Sequence, residues 1–338
     1  MNAITVAEYI WLDANKKFRS KVRTILHENF RTPELPDWDY DGSSTGQAEG
    51  KSSEITIHPI FTCDNPLSNT RDNHIMYYKL VLCETLNVDG APTASNTRSN
   101  ANKIFSLPIC ESLKPWFGLE QEYFIIDNTE DVGMKQPVIE ETKEHYCGIG
   151  CEIVYRNIAE EHMMACIKAR LNISGMNAEV SKNQWEFQIG PSVGIRASDE
   201  LLMARFILER IAEKYGKIIC YEPKPFANVN GSGCHTNFST TIMRSLGGIK
   251  EIHRVIQNME NNHRANIKLY GANNEQRMSG KYETSDYNKF TWGVGHRGVS
   301  VRINNRTNKD GFGYLEDRRP AANMDPYMVT AAIMANAI

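Results

Sequence analysis

Polar and apolar side chains alternate with period two in three stretches of the later part of the chain. The first is Gly118-Leu-Glu-Gln-Glu-Tyr-Phe-Ile-Ile126. Tyr123, Phe124, Ile125 and Ile126 are strand formers and nothing after Gly118 breaks the run, so the pattern predicts a strand. Successive side chains on a strand point to opposite faces, which puts Glu120 and Glu122 on one face and Gln121 on the other. In 183–190, Gln184, Glu186 and Gln188 alternate with Trp185, Phe187 and Ile189. In 233–239, His235, Asn237 and Ser239 share a face. Each stretch reads as a strand with one buried face and one polar face.

Helical periodicity appears between these strands. Residues 158–171 place Ile158, His162, Ala165, Cys166 and Ala169 near one face. A second helix is predicted over 198–215, with Ser198 as its cap, Asp199 and Glu200 at its positive end and Gly216 beyond its end. A third lies within 246–268. Earlier in the chain, 8–13, 20–25, 54–58 and 77–83 read as strands, and 38–47 is rich in turn formers. Residues 87–102 are dense in Asn, Thr, Ser, Pro and Gly. The expected organisation is a small domain over 1–90, a linker over 91–103 and a larger domain over 104–338.

Composition narrows the class of protein. The chain has 338 residues, 41% hydrophobic and 23% charged, which suits a soluble globular protein with a sizeable core. A net charge of −3 provides no general attraction to nucleic acid or anionic membrane. No stretch approaches the ~20 apolar residues that span a bilayer, and the first residues do not read as a secretory signal. Eight scattered cysteines in a chain this long predict a reducing, cytoplasmic compartment. Cys147 and Cys151, four apart without a second Cys or His pair, carry only a weak zinc signal.

The candidate chemistry lies on the polar strand faces. Glu120 and Glu122 are joined by Glu179, Glu186, His235 and Glu316. A set dominated by carboxylates favours hard cations, Mg²⁺ or Mn²⁺, over Zn²⁺. Six ligands exceed what one such ion commonly takes from protein, so two or more ions clamping a phosphate are expected. Arg277, Arg297, Arg302, Arg306, Arg318 and Arg319 concentrate the opposite charge late in the chain. Guanidinium forks bind carboxylate and phosphate, so metals with an arginine cluster point to phosphoryl transfer. Taken singly, each residue has a plainer explanation: an exposed strand edge, a structural histidine, a solvated face. Neither a Walker-type loop nor a glycine-rich dinucleotide fingerprint is present.

The motifs together resemble glutamine synthetases of the eukaryotic, type II class. The carrying stretches are WDYDGSSTGQA (38–48), GLEQEYF (118–124), NAEV with QWEFQIGP (177–191), NGSGCHTNFST (230–240), RMSGKYETS (277–285), RGVSVRI (297–303) and GYLEDRRPAANMDPY (313–327). The resemblance implies an α+β fold: a small N-terminal β-grasp-like domain and a large C-terminal α/β catalytic domain with a curved antiparallel sheet. It implies ATP-dependent ligation of ammonia to L-glutamate through γ-glutamyl phosphate. Glu122, Glu179 and Glu186 would hold one metal, and Glu120, His235 and Glu316 the other. Arg297 and Arg318 would neutralise the phosphoryl group, Arg277 would grip the substrate α-carboxylate, and Asn230 and Gly231 would lie near glutamate. Arg302, Asn237 and Ser239 would face the nucleotide. Glu283 would shield the intermediate, and Asp41 would bind ammonium and take its proton at a neighbouring subunit's site in a decamer of two pentameric rings.

The chain departs from the family pattern at Val229, where Trp is usual, at Glu54, where Asp is common, and between Phe61 and Tyr78. These departures put substrate affinity in question. Two other readings stay open: a carboxylate–amine ligase using another amine, and a non-catalytic structural protein on the same fold.

Overall fold

The computed structural model describes residues 3–27, 34–68, 76–127, 144–227, 229–281 and 285–338. The chain divides into two compact units, one of Met1–Asn100 with Ala165–Leu171, the other of Ala101–Met164 with Asn172–Ile338.

The first unit is built on a sheet of β1 (Ala3–Leu12), β2 (Phe18–His27), β3 (Trp38–Asp41), β4 (Glu54–Asp64) and β5 (Met76–Leu86), in the order β2-β1-β5-β4-β3. β1 and β5 run parallel and the other pairs are antiparallel. Tyr9, Trp11, Tyr40, Ile57 and Val81 form the core. Alternation places them on one face of the sheet, and the central strands β1 and β5 are covered on the other face too, where Ile10, Leu80 and Leu82 are buried. Asp41 ends β3 opposite Glu54 of β4. Its carboxylate caps a single 3₁₀ turn, Gly42–Thr45, accepting from the Ser43 amide at 3.0 Å and the Ser43 hydroxyl at 2.6 Å. Gly42 must lack a Cβ, because one would sit 2.4 Å from Ile55.

α1 (Thr97–Phe105) and α2 (Pro108–Leu113) follow, and α1 takes up part of the segment read as a linker. Next come β6 (Trp116–Asp127), α3 (Arg156–Lys168), β7 (Ile173–Ala178), β8 (Gln184–Val193), α4 (Arg196–Lys214), β9 (Lys217–Cys220) and β10 (Cys234–Ser239). α5 (Ile249–Asn261) buries Ile252, Val255, Ile256 and Met259, one stripe at helical spacing. The chain ends through α6 (His263–Asn266), α7 (Asn274–Arg277), β11 (Trp292–Val294), β12 (Val301–Ile303), α8 (Asn305–Asp310), β13 (Leu315–Asp317) and α9 (Pro326–Ala335).

The second unit's sheet has the order β11-β12-β13-β10-β6-β8-β7, with β9 also on β6. It is antiparallel except for β11 against β12. The two units give the α+β architecture expected, with the second sheet curled into a half-barrel. α4 packs behind β6, β8 and β9. Gln121, on the face opposite the glutamates, is fully buried there and accepts from Arg205 of α4 at 2.8 Å.

One expected feature of α4 is corrected. The helix starts at Arg196, and Ser198 lies inside it rather than capping it. The Ser198 hydroxyl is fully buried and donates to the Pro326 carbonyl of α9 at 3.1 Å, so a tertiary contact takes the role that local sequence assigned to a cap.

Candidate active site

Strand register assembles the site. In β6 and β8, Glu122 lies directly opposite Glu186. In β6 and β10, Glu120 lies opposite His235. In β10 and β13, Asn237 lies opposite Glu316, and in β12 Arg302 lies opposite the same glutamate. Glu179 stands in the hairpin between β7 and β8, tied by its amide to the Gln184 carbonyl at 2.9 Å.

The six side chains form two groups of three. Glu122, Glu179 and Glu186 offer ligand atoms that all lie within 4.8 Å of one another, and Glu120, His235 and Glu316 do the same. Both groups fit a divalent cation. In the all-carboxylate group, burial and mutual repulsion raise the pKa values of Glu122, Glu179 and Glu186 to about 7, 8 and 9 from an ordinary 4.5. Three carboxyls held this close cannot all ionise without a cation among them. The all-oxygen donor set suits a hard ion.

In the other group, His235 Nδ1 lies 3.4 Å from Glu120 and 3.7 Å from Glu316. Burial and the nearby Arg318 hold the imidazole well below its usual pKa, so it is neutral. Its Nε2 faces the Arg277 guanidinium at 3.2 Å. A guanidinium only donates, so Nε2 accepts and the ring proton sits on Nδ1, toward the two carboxylates. To hold a cation through Nδ1 the neutral ring would carry its proton on Nε2 instead, and the Arg277 guanidinium would turn from it to its carbonyl partners.

A cavity of about 640 Å³ opens over both groups, lined also by Tyr146, Asn230, Gly231, Arg277, Arg297, Arg302 and Arg318. Arg277 ends α7 and is 4% exposed. It donates to the Arg318 carbonyl at 2.9 Å and lies across the Asn230-Gly-Ser-Gly233 turn. A Cβ on Gly231 would lie 2.4 Å from the Pro223 carbonyl and 2.7 Å from Arg277 Cγ, so that position needs glycine, and one on Gly233 would come within 2.5 Å of Arg277 Nη2 and displace the guanidinium. Arg318 donates to Glu316 at 2.6 Å and to the Arg297 carbonyl at 3.0 Å, and Arg302 pairs with the other oxygen of Glu316.

Several residues of the sequence analysis lie elsewhere. Arg319 points to the opposite face, fully buried in a paired contact with Asp317 at 2.8 and 2.7 Å. Arg306 pairs with Asp310 at an exposed turn of α8. Neither belongs to the cationic wall of the cavity: just past β13 the Arg319 side chain turns inward onto Asp317, and α8 carries Arg306 off the sheet. Asn237 donates to Glu120 at 2.7 Å, and the Ser239 hydroxyl accepts from Arg244 at 2.8 Å. Glu283 lies outside the described residues. Asp41 belongs to the first unit; hydrogen bonds from Ser43 hold its carboxyl below the ordinary range. Val229 is buried against Phe124 and Phe226 and is not part of the cavity lining, which its neighbours Asn230 and Gly231 join.

Two contributors escaped the sequence reading. Tyr146, in an irregular segment, carries no periodic signal. Gln184 was legible as one polar position of an alternating strand, but its bond to Glu122 at 3.2 Å depends on β6 lying beside β8.

A sheet that carries two three-ligand groups beneath an arginine-lined cavity defines a site built for cations and for an anionic substrate. The family pattern described as "Glutamine synthetase, catalytic domain" matches residues 94–245. A glutamine synthetase cytosolic isozyme of Pinus sylvestris is 44% identical over 98% of this chain and 93% of its own length. One of Daucus carota is 46% identical over 98% and 94%, and a putative glutamine synthetase of Acanthamoeba polyphaga mimivirus is 45% identical over the same shares. The chain belongs to the glutamine synthetase family.

Proposed function

We propose that this protein joins ammonia to the γ-carboxylate of L-glutamate at the expense of ATP, giving L-glutamine, ADP and phosphate through γ-glutamyl phosphate. The observation that carries the reading is the pair of three-ligand groups under one arginine-lined cavity in a chain of this family. Phosphorylation turns a poor carboxylate electrophile into a good one, and catalysis of that step is mostly positioning and neutralisation of charge.

Glu122, Glu179 and Glu186 would hold one cation, on the glutamate side, and Glu120, His235 and Glu316 would hold the other, on the ATP side. Mg²⁺ or Mn²⁺ bound at these positions would neutralise phosphate charge. Arg297 and Arg318 stabilise the phosphoryl group in transfer. Arg302, with Asn237 and Ser239, lies on the nucleotide side. Arg277 receives the α-carboxylate, and Asn230 and Gly231 border the glutamate. Glu283 shields the acyl phosphate from water. Asp41 holds ammonium and accepts its proton, since only the neutral amine attacks. Its place in the smaller domain, with 104–338 as the catalytic domain, accords with an assembly in which one subunit completes another's site, a decamer of two five-membered rings. The cytoplasm is the expected compartment, in keeping with relatives named cytosolic isozymes.

The test is ATP- and glutamate-dependent formation of γ-glutamyl hydroxamate with Mg²⁺ or Mn²⁺, repeated with ammonia and with bulkier amines. Turnover with ammonia is expected. Turnover confined to a bulkier amine would replace this reading with that of a different ligase, and metal binding without turnover on any amine would overturn it.

A further inference from the structure

A second, much smaller pocket adjoins the hairpin that carries Glu179. It offers about 10 Å³, is partly open, and is lined by residues 152–154, 178–179 and 181–185 together with His145. Space of that size is about what one water molecule needs.

Three polar atoms among its lining residues, His145 Nδ1, Ser181 Oγ and Gln184 Oε1, are buried and have no hydrogen-bond partner among the described residues. Ser181 is 1% exposed and Gln184 2%. Buried polar atoms in native proteins are nearly always satisfied by protein or by ordered water. The orientation of the Gln184 amide is decided by its other end. Nε2 faces Glu122 Oε2 at 3.2 Å, the Gly231 carbonyl at 3.2 Å and the Ser232 hydroxyl at 3.1 Å. A flipped amide would set its oxygen against a carboxylate and a carbonyl. Oε1 therefore remains on the pocket side, where it can only accept.

The occupant must donate to Gln184. Ser181 Oγ and a neutral His145 can each donate or accept. A water, with two protons and two lone pairs, satisfies all three atoms at once, whereas an ammonium ion would require every one of them to accept. We propose that this pocket is a dedicated site for a single buried water that completes a hydrogen-bonded chain from His145 and Ser181 through Gln184 to Glu122. The water makes Gln184 a positioning residue: it holds the amide that holds the Glu122 carboxylate. The existence of the water site stands on the pocket alone. Its consequence for metal affinity rests on the cation-binding reading of Glu122, Glu179 and Glu186.

High-resolution diffraction from the intact wild-type protein, grown without ammonium salts, tests the site directly. An ordered peak within hydrogen-bond distance of all three atoms is expected. A dry pocket, a rotated Gln184 amide, or density that appears only with ammonium would overturn the proposal. Ser181→Val replaces the hydroxyl and fills the space, and Ser181→Ala removes the hydroxyl but leaves room for water. Calorimetric titration of Mn²⁺ into the substrate-free protein reads the effect. Ser181→Val is expected to weaken the Glu122 group about tenfold, as loss of a supporting shell does, while the Glu120 group keeps its affinity. Ser181→Ala should fall between wild type and Ser181→Val. Equal weakening of both groups by Ser181→Val would mark a general structural effect and overturn the positioning role. Wild-type protein with the water but without Mn²⁺ binding at Glu122 would sink the metal reading and leave the water site standing. The diffraction result holds even if Ser181→Val fails to fold.

Discussion

Glu186 shows how a crowded group of carboxylates strains the fold at the level of one residue. Burial and the neighbouring Glu120, Glu122 and Glu179 raise its pKa to about 9. An acid with a higher pKa in the folded chain binds more protons folded than unfolded. The raised set thus supports the metal-free protein at low pH, and this contribution fades as pH rises from about 4.5 through 7 to 9. Glu186→Gln removes one of the crowded charges. The variant is expected to match wild type near pH 5 and to exceed it by ~1–2 kcal/mol near pH 9 without metal, while losing most ligase activity. Urea unfolding with chelator at both pH values, beside the hydroxamate assay, checks this; a variant equally stable at both and fully active would refute the assignment. The same proton competition makes Mn²⁺ affinity rise with pH across that range. By contrast, Arg319 and Asp317 are a structural pair with no exposed surface. Arg319→Ala leaves a buried carboxylate uncompensated and should cost about 3–5 kcal/mol in denaturant unfolding.

Among the elements, β6 does the most to organise the site. A bulge against β8, between Phe117 and Leu119, sets the register that brings Glu122 opposite Glu186 and Glu120 opposite Gln188. Gly190 sits at that irregularity with φ +107°, and a Cβ there would lie 2.4 Å from the Phe117 carbonyl. Gly190→Ala must push the strands apart or shift the bulge. The expected result is a loss of roughly 2 kcal/mol or more in stability, together with weakened Mn²⁺ binding at the Glu122 group. Unaltered calorimetric affinity in a destabilised variant would separate packing from ligand placement. The strands themselves were legible, because alternation is a local property. The place of Ser198 was not, since whether a serine caps a helix or lies inside it depends on what packs nearby, here α9.

For the whole molecule, the proposed catalytic machinery draws on both units: six ligands in the second and Asp41 in the first. Light scattering should report a particle near ten subunits, and a monomer with full activity would end the shared-site idea. Asp41→Ala should lower kcat/KM for ammonia by about 10²-fold or more and leave phosphoryl transfer to glutamate much less affected. Equal loss in both half-reactions would count against its role with ammonium.

The sequence by itself determined which residues lie on polar strand faces, the hard-cation character of the proposed ligands and, through its motifs, the family. Those are properties of neighbours in the chain and of side-chain chemistry. Residue types and spacing alone left five carboxylates and one imidazole as an inventory; only the resemblance divided them into two sets. Strand register is what gathers them in space, since slipping β6 by one residue against β8 would turn its glutamates away from Glu186. Tertiary structure also decided that Arg318 faces the cavity while Arg319 is buried behind it, that Val229 packs among aromatics, and that Gln184 joins Glu122 to a small polar pocket. Each depends on what a side chain meets across the sheet, and no local pattern carries that information.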